Sequence, residues 1–278
     1  MSTSAVKLKR HISPFRYPGG KSWLYPIFRE WFRCGNSRTL VELFAGGASI
    51  GLQSLEEGLC DHLVMIERDP EIAAVWRTIL GTSWRELVAR IENFSPTLAD
   101  YRKELAAPAR TQINRAWQAL IRNRLNHGGI MANGASPLRN GEAGKGLQSR
   151  WYPETLVSRI RRIRSLKSGI EFLHSDALRE LGSRKWKGCS FFVDPPYPKA
   201  GRRLYSHFSI DHEQLLEQLG LIDRPFFASY EDIDEVKRLA ERFNYQVSSV
   251  SMFARCHRRR TELLISNRQD MMSSLGKS

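Results

Sequence analysis

Two short apolar runs, each handing over to a helical stretch, set the fold class of this chain. Residues 39–44 (TLVELF) end at Ala45-Gly46-Gly47, and a helical pattern follows over residues 49–58. His62–Glu67 (HLVMIE) is the second run, with Pro70–Leu80 as its helix. Parallel strands need crossover connections, and helices provide them, so this order opens a doubly wound α/β sheet. The alternation resumes later, with strands at Ile170–His174, 190–193 and 225–229 and helices at 212–219 and 232–243. Residues 247–252 and 262–266 read as a closing pair of strands.

Residues 82–165 break that rhythm. Helical stretches occupy Trp84–Asn93 and 112–124, a loop rich in Gly, Asn and Ser covers 127–146, and the helix Pro153–Ser165 carries Arg159, Arg161, Arg162 and Arg164. Basic residues outnumber acidic ones here, so the segment reads as an inserted module. The predicted organisation is a basic mobile arm at 1–13, a catalytic domain from 14–81 and 166–278, and the insertion at 82–165. Across the 278 residues, 43 Lys and Arg stand against 29 Asp and Glu, a net charge of +14. Such an excess favours a polyanionic partner, nucleic acid first among them.

The four cysteines, Cys34, Cys60, Cys189 and Cys256, form no CxxC pair and match no zinc module, so no metal is expected. They point to a reducing compartment without structural disulfides. No apolar run reaches membrane-spanning length, and the polar, basic residues 1–11 lack the apolar core of a signal peptide.

The glycine turn follows Glu42, and Glu67 ends the next strand. Glycines at a strand-to-helix corner let a ligand approach the backbone, and a carboxylate at the end of the second strand meets ribose hydroxyls. The GxGxxG spacing of dinucleotide sites is missing, and Glu42 would repel a pyrophosphate. A ligand ending in an ammonium group suits it better, such as the methionine part of S-adenosylmethionine.

Asp194-Pro195-Pro196-Tyr197, after the apolar run Phe191-Phe192-Val193, is the sharpest motif. Paired prolines end a strand abruptly and stiffen the corner at the sheet edge where α/β proteins bind ligands. The corner offers a carboxylate, a proline carbonyl and an aromatic face. Adenine N6 is a poor nucleophile because its lone pair is delocalised into the ring. Asp194 and the Pro195 carbonyl can accept its hydrogens, and Tyr197 can stack on the base. A base must leave the duplex to reach such a pocket. Upstream, Tyr17-Pro18-Gly19-Gly20-Lys21 is aromatic, glycine-rich and basic but is no Walker loop. Tyr17 suits a cation–π contact to a sulfonium, and Lys21 a carboxylate.

In their order, these elements resemble the Dam-type (D12 class) DNA adenine-N6 methyltransferases over residues 14–267, including the closing segment Arg260-Thr261-Glu262-Leu263-Leu264-Ile265-Ser266-Asn267. The resemblance implies a Rossmann-like class I methyltransferase sheet with an inserted, mainly helical target-recognition domain. It implies S-adenosyl-L-methionine as cofactor and S-adenosyl-L-homocysteine as product. Tyr17, Lys21, Glu42, Ala45, Gly47, Glu67, Asp176 and Asp194 would line the cofactor, and Asp194, Pro195, Pro196 and Tyr197 would serve catalysis. The family often has Asp where Glu67 stands, so Asp69 competes with Glu67 for the ribose, and Glu67 is favoured. Arg122, Arg124, Asn126, Arg139, Arg159 and Arg162 are the expected DNA contacts, with Arg161, Lys167 and the run Arg258-Arg259-Arg260 adding backbone affinity. The expected partner is double-stranded DNA, with no membrane, and with a cognate restriction endonuclease where the enzyme serves restriction-modification. A monomer in a prokaryotic cytoplasm, at the nucleoid or from a phage, is the expected setting. Three rival readings are open: methylation of RNA adenine or of DNA cytosine N4, a catalytically silent DNA-binding relative, and a dinucleotide oxidoreductase.

Overall fold

A computed structural model of the chain describes residues 11–16, 20–131, 134–138, 141, 144–182, 186–197, 210–253 and 259–268. Seven strands form one sheet: β1 Thr39–Glu42, β2 His62–Glu67, β3 Ile170–His174, β4 Cys189–Val193, β5 Phe226–Glu231, β6 Gln246–Phe253 and β7 Arg259–Ser266. Their order is β3-β2-β1-β4-β5-β7-β6, with β7 antiparallel to both neighbours and the pairings among β1 to β5 parallel. This is the Rossmann-like α/β methyltransferase sheet that the motifs imply.

Alternation along the strands explains the layering. Leu40, Leu63, Met65, Phe192, Phe227 and Leu264 join one buried cluster, while Val41, Val64, Ile66, Phe191, Val193, Ala228 and Ile265 join another. Successive side chains point to opposite faces, so both faces need cover. β4 is buried along its whole length.

The first face is covered by α1 Tyr25–Arg33, α2 Ser49–Glu56 and α3 Pro70–Leu80. In α1, Tyr25, Phe28, Trp31 and Phe32 turn one side to the sheet, with Phe28 edge-on to Phe192 and Phe227. The second face is covered by α8 Ala177–Leu181, α9 His212–Leu221 and α10 Asp234–Arg242, which contribute Leu181, Leu216, Leu219 and Val236.

Between α3 and β3 lie α4 Trp84–Asn93, α5 Leu98–Ala106, α6 Gln112–Leu125 and α7 Pro153–Ser165. Their apolar residues Leu87, Ile91, Leu120, Ile160 and Ile163 belong to the same cluster as Leu40 and Val75. The segment expected to be an inserted module therefore shares the core of the first face. A T-shaped aromatic trio, Phe94, Trp117 and Trp151, with centroids 5.1 to 5.9 Å apart, ties its loops to its helices. Among the described residues, no helix is long and apolar enough to cross a membrane.

Candidate active site

The corners after β1 and β4 emerge side by side. Glu42 pairs with Phe192 in register, and the Leu43 N–H donates to the Phe192 carbonyl at 3.1 Å. Asp194 follows two residues later, where the prolines end the strand.

Lys21 reaches this corner from the 3-10 turn Lys21–Leu24 and is 5% exposed. Its Nζ lies 3.1 Å from Asp194 Oδ1, 3.6 Å from Glu262 Oε2 and 4.8 Å from the centre of the Tyr197 ring. The Tyr197 hydroxyl stands 3.4 Å from Ser229 Oγ, which donates to Glu262 Oε2 at 2.9 Å. Burial pushes the Asp194 carboxyl up to about 6; Lys21 opposes that shift and Glu262 adds to it. Burial also holds the Tyr197 phenol well above its ordinary range.

Two further carboxylates stand behind the glycine turn. Glu42 Oε2 accepts the Gly51 N–H at 2.9 Å, and a Cβ at residue 51 would collide with that oxygen. Burial pushes Glu42 up to about 8, the Gly51 hydrogen bond opposes this, and the charge of Asp194 adds to it. Glu67 accepts from the Gly46 N–H through Oε2 and from the Asp69 N–H through Oε1, both at 2.8 Å. Burial raises Glu67 to about 7 against those hydrogen bonds. Trp76 Nε1 donates to the Gly46 carbonyl at 2.8 Å, so Gly46 is gripped at both its amide and its carbonyl. Gly46 and Ala48 both have positive φ, 45° and 47°. The Ala48 conformation is one a side chain rarely adopts, as is common where a corner is shaped for a ligand.

The remaining residues expected at the cofactor divide clearly. Ala45 is buried, its N–H bonded to the Ile66 carbonyl at 2.9 Å, and Gly47 is half-buried on the turn. Asp69 caps α3 through Oδ1, which accepts the Glu71 N–H at 2.8 Å. Asp176 caps α8 in the same way and meets Arg68 at 3.3 Å. Tyr17 lies outside the described residues. Glu262, Ser229 and Trp76 were not singled out in the sequence. For Glu262 a signal existed: it is a lone carboxylate opening the apolar run Leu263-Leu264-Ile265.

The residues expected at DNA are mostly engaged within the chain. Arg122 meets Glu71 at 2.5 Å, and Arg162 grips Glu56 with contacts of 2.6 and 2.7 Å. Arg159 donates to the Ser13 carbonyl at 3.0 Å, and burial lowers its pKa. Arg124, 3% exposed, and Asn126, 4% exposed, are interior residues; Asn126 accepts from the Tyr101 hydroxyl at 2.6 Å. Burial lowers Arg124 to about 9, with Arg16 next among the causes. In this conformation neither Arg124 nor Asn126 presents a surface to a base. Arg161 and Lys167 are exposed, and Arg161 meets Glu92 at 3.4 Å. Arg139 and Arg258 lie outside the described residues, and the Arg259 and Arg260 side chains are likewise not described. The neighbouring Asn123 has a structural duty: it exchanges two hydrogen bonds of 2.8 Å with the backbone of Arg16.

A family model described as D12 class N6 adenine-specific DNA methyltransferase matches residues 17–252. No curated protein sequence matches the chain. Among solved structures, a candidate RNA methyltransferase of Pyrococcus horikoshii is 11% identical, with TM-score 0.42 and 95% of this chain and 89% of that one covered. The precorrin-6y C5,15-methyltransferase of Geobacter metallireducens GS-15 is 10% identical, with TM-score 0.40 and 95% and 92% covered.

Proposed function

Since the chain belongs to the D12 class of N6 adenine-specific DNA methyltransferases, we propose that it transfers a methyl group from S-adenosyl-L-methionine to adenine N6 in double-stranded DNA. The observation that carries this reading is the meeting of Lys21, Asp194 and Tyr197 beside the corner that holds Glu42 and Glu67. It is supported by how well that corner suits S-adenosylmethionine. Glu42, buried and with its pKa raised by that burial, fits a ligand that brings a sulfonium and an ammonium. Glu67, which holds the glycine turn from the end of β2, is the ribose ligand in this reading, with Asp69 at the cap of α3 as the alternative. Glu42, Ala45, Gly47 and Lys21 line the methionine side, and Asp176 the adenine side. When bound, the cofactor supplies an electrophilic methyl carbon.

Asp194 and the Pro195 carbonyl accept the amino hydrogens of a base swung out of the helix, and the Tyr197 face packs on its ring. As the N6–carbon bond forms, positive charge grows on N6, and the Asp194 carboxylate opposes it. The carbon–sulfur bond breaks with its electron pair left on sulfur, and the surplus N6 proton passes to Asp194. Residues 82–165 take the part of the target-recognition module. Arg122, Arg159 and Arg162 already hold partners within the chain, so a phosphate there would share or replace those contacts.

Labelled methyl transfer to duplex DNA, followed by nucleoside analysis, tests the proposal. N6-methyladenine is expected. Labelled N4-methylcytosine, or label entering only RNA, would replace it with the corresponding rival reading.

A further inference from the structure

Lys21 stands where a substrate amine would have to stand. Its ammonium is 3.1 Å from the carboxylate proposed to accept the amino hydrogens and 4.8 Å from the centre of the ring proposed to stack on the base. An incoming base must therefore displace it. A second carboxylate, Glu262, already lies 3.6 Å from the same ammonium. Glu262 is 8% exposed and sits on β7, opposite Glu231 of β5 in register. Its Oε2 is held by Ser229, whose hydroxyl is also the neighbour of the Tyr197 phenol.

We infer that Glu262 is a positioning residue that takes Lys21 over from Asp194 when the amine enters, leaving Asp194 free to accept the amino hydrogens and the Tyr197 face free to stack. The exchange costs little, because the ammonium moves between two carboxylates it already touches and never stands unpaired in a buried site. Ser229 anchors both ends of the device: it fixes the Glu262 oxygen and marks the edge of the Tyr197 ring. Among the described residues, Lys21 meets Asp194 and Tyr197 after β4 and Glu262 on β7; Asp194 in turn acts on Glu42 of β1 and Tyr230 of β5, and Glu231 of β5 lies opposite Glu262 in register. This inference rests on the proposed function for its substrate but not for its charge coupling.

Two measurements on the full chain test it. In the first, the Asp194 carboxyl is titrated by carbon NMR in the protein without DNA. Glu262→Gln keeps an oxygen for Ser229 but removes the charge, and Asp194 should then titrate lower by about half a unit or more. An unmoved Asp194 overturns the coupling whatever the substrate is. In the second, single-turnover methylation is compared across Glu262→Gln, Lys21→Met and the double variant. Glu262→Gln should lower the rate about tenfold or more with cofactor affinity within about twofold, and the double variant should be no worse than Lys21→Met alone. A wild-type rate in Glu262→Gln, or a double loss equal to the product of the single losses, overturns the proposal. If Glu262→Gln does not fold, Glu262→Asp carries the kinetic test, since a shorter carboxylate also withdraws from Lys21. Absence of adenine methylation by the wild type would instead sink the proposed function, and the titration would still decide the coupling.

Discussion

Glu67 fastens the glycine turn: its two carboxylate oxygens accept the amides of Gly46 and Asp69, each at 2.8 Å. A carboxylate has further lone pairs to offer after those bonds, so the side chain can shape the turn and still receive hydroxyl donors. Glu67→Gln turns one acceptor into a donor facing an N–H. The expected result is a cofactor affinity lower by about tenfold to a hundredfold, read by calorimetry, because a hydrogen bond to a charged group contributes about 1.5–3 kcal/mol. Unchanged affinity would move the ribose contact to Asp69.

The contribution of Glu42 to the stability of the cofactor-free protein should fall as pH rises. Glu42 is lifted from its ordinary 4.5 to about 8 in the fold, so between those values the folded state holds a proton that the unfolded state has released. The stability this group lends is complete below about 4.5 and lost as pH climbs toward about 8; Glu67 and Asp194 are shifted in the same direction. Glu42→Gln removes the largest of these contributions and retains an oxygen for the Gly51 amide. Its melting temperature should match the wild type near pH 4.5, exceed it increasingly up to about pH 8, and run parallel beyond. A pH-independent difference in thermal unfolding would contradict the assignment.

Methyl transfer should fade below about pH 6, where Asp194 of the ligand-free protein takes up its proton and ceases to be a double acceptor. Asp194→Ala should abolish methylation while largely preserving retention of DNA at low salt. The measurements are a pH profile of single-turnover rate and a filter-binding comparison. Wild-type turnover in Asp194→Ala would remove this residue from the chemistry.

Arg164 of α7 should matter for stability and not for cofactor binding. Its Nη1 reaches the carbonyls of Ile79, Leu80 and Gly81 at 3.3, 2.7 and 3.3 Å, where α3 ends and its carbonyls lack helical partners. A cation there also suits the helix dipole. Arg164→Ala is expected to cost about 1–3 kcal/mol in denaturant unfolding with cofactor affinity unchanged. A loss below about 0.5 kcal/mol would mark the contact as incidental.

The central strands β1, β2 and β4 were legible because they are buried on two faces and so read as short apolar runs, while the more open edge strands β3 and β6 followed from the alternation around them. All seven expected strands are present, close to their expected bounds. α1 escaped because four aromatic residues among charges and a proline, YPIFREWFR, do not announce a helix until the sheet offers Phe192 and Phe227 to pack on. α5 was missed for a related reason: only Tyr101 of its nine residues is buried, leaving little apolar periodicity. The corner carboxylates were legible because their spacing to glycine and proline is local. Ser229 was not legible, and Glu262 stood out only as a lone carboxylate before an apolar run, because their meeting arises only when β5 and β7 pair. The arginines of α7 show what composition leaves out, since it counts a charge but not the carboxylate or carbonyl that already holds it.

The strand order has a consequence for the chain as it leaves a ribosome. β1 lies at the middle of the sheet, and β2 on one side of it follows soon after, but its other neighbour, β4, is separated from it by the whole of α3 to α8. Until residue 193 has emerged, one long flank of β1 has no partner, and its exposed backbone is an invitation to mispair with other nascent chains. The sheet can therefore close only late in synthesis, after the helices between α3 and β3 have already been made.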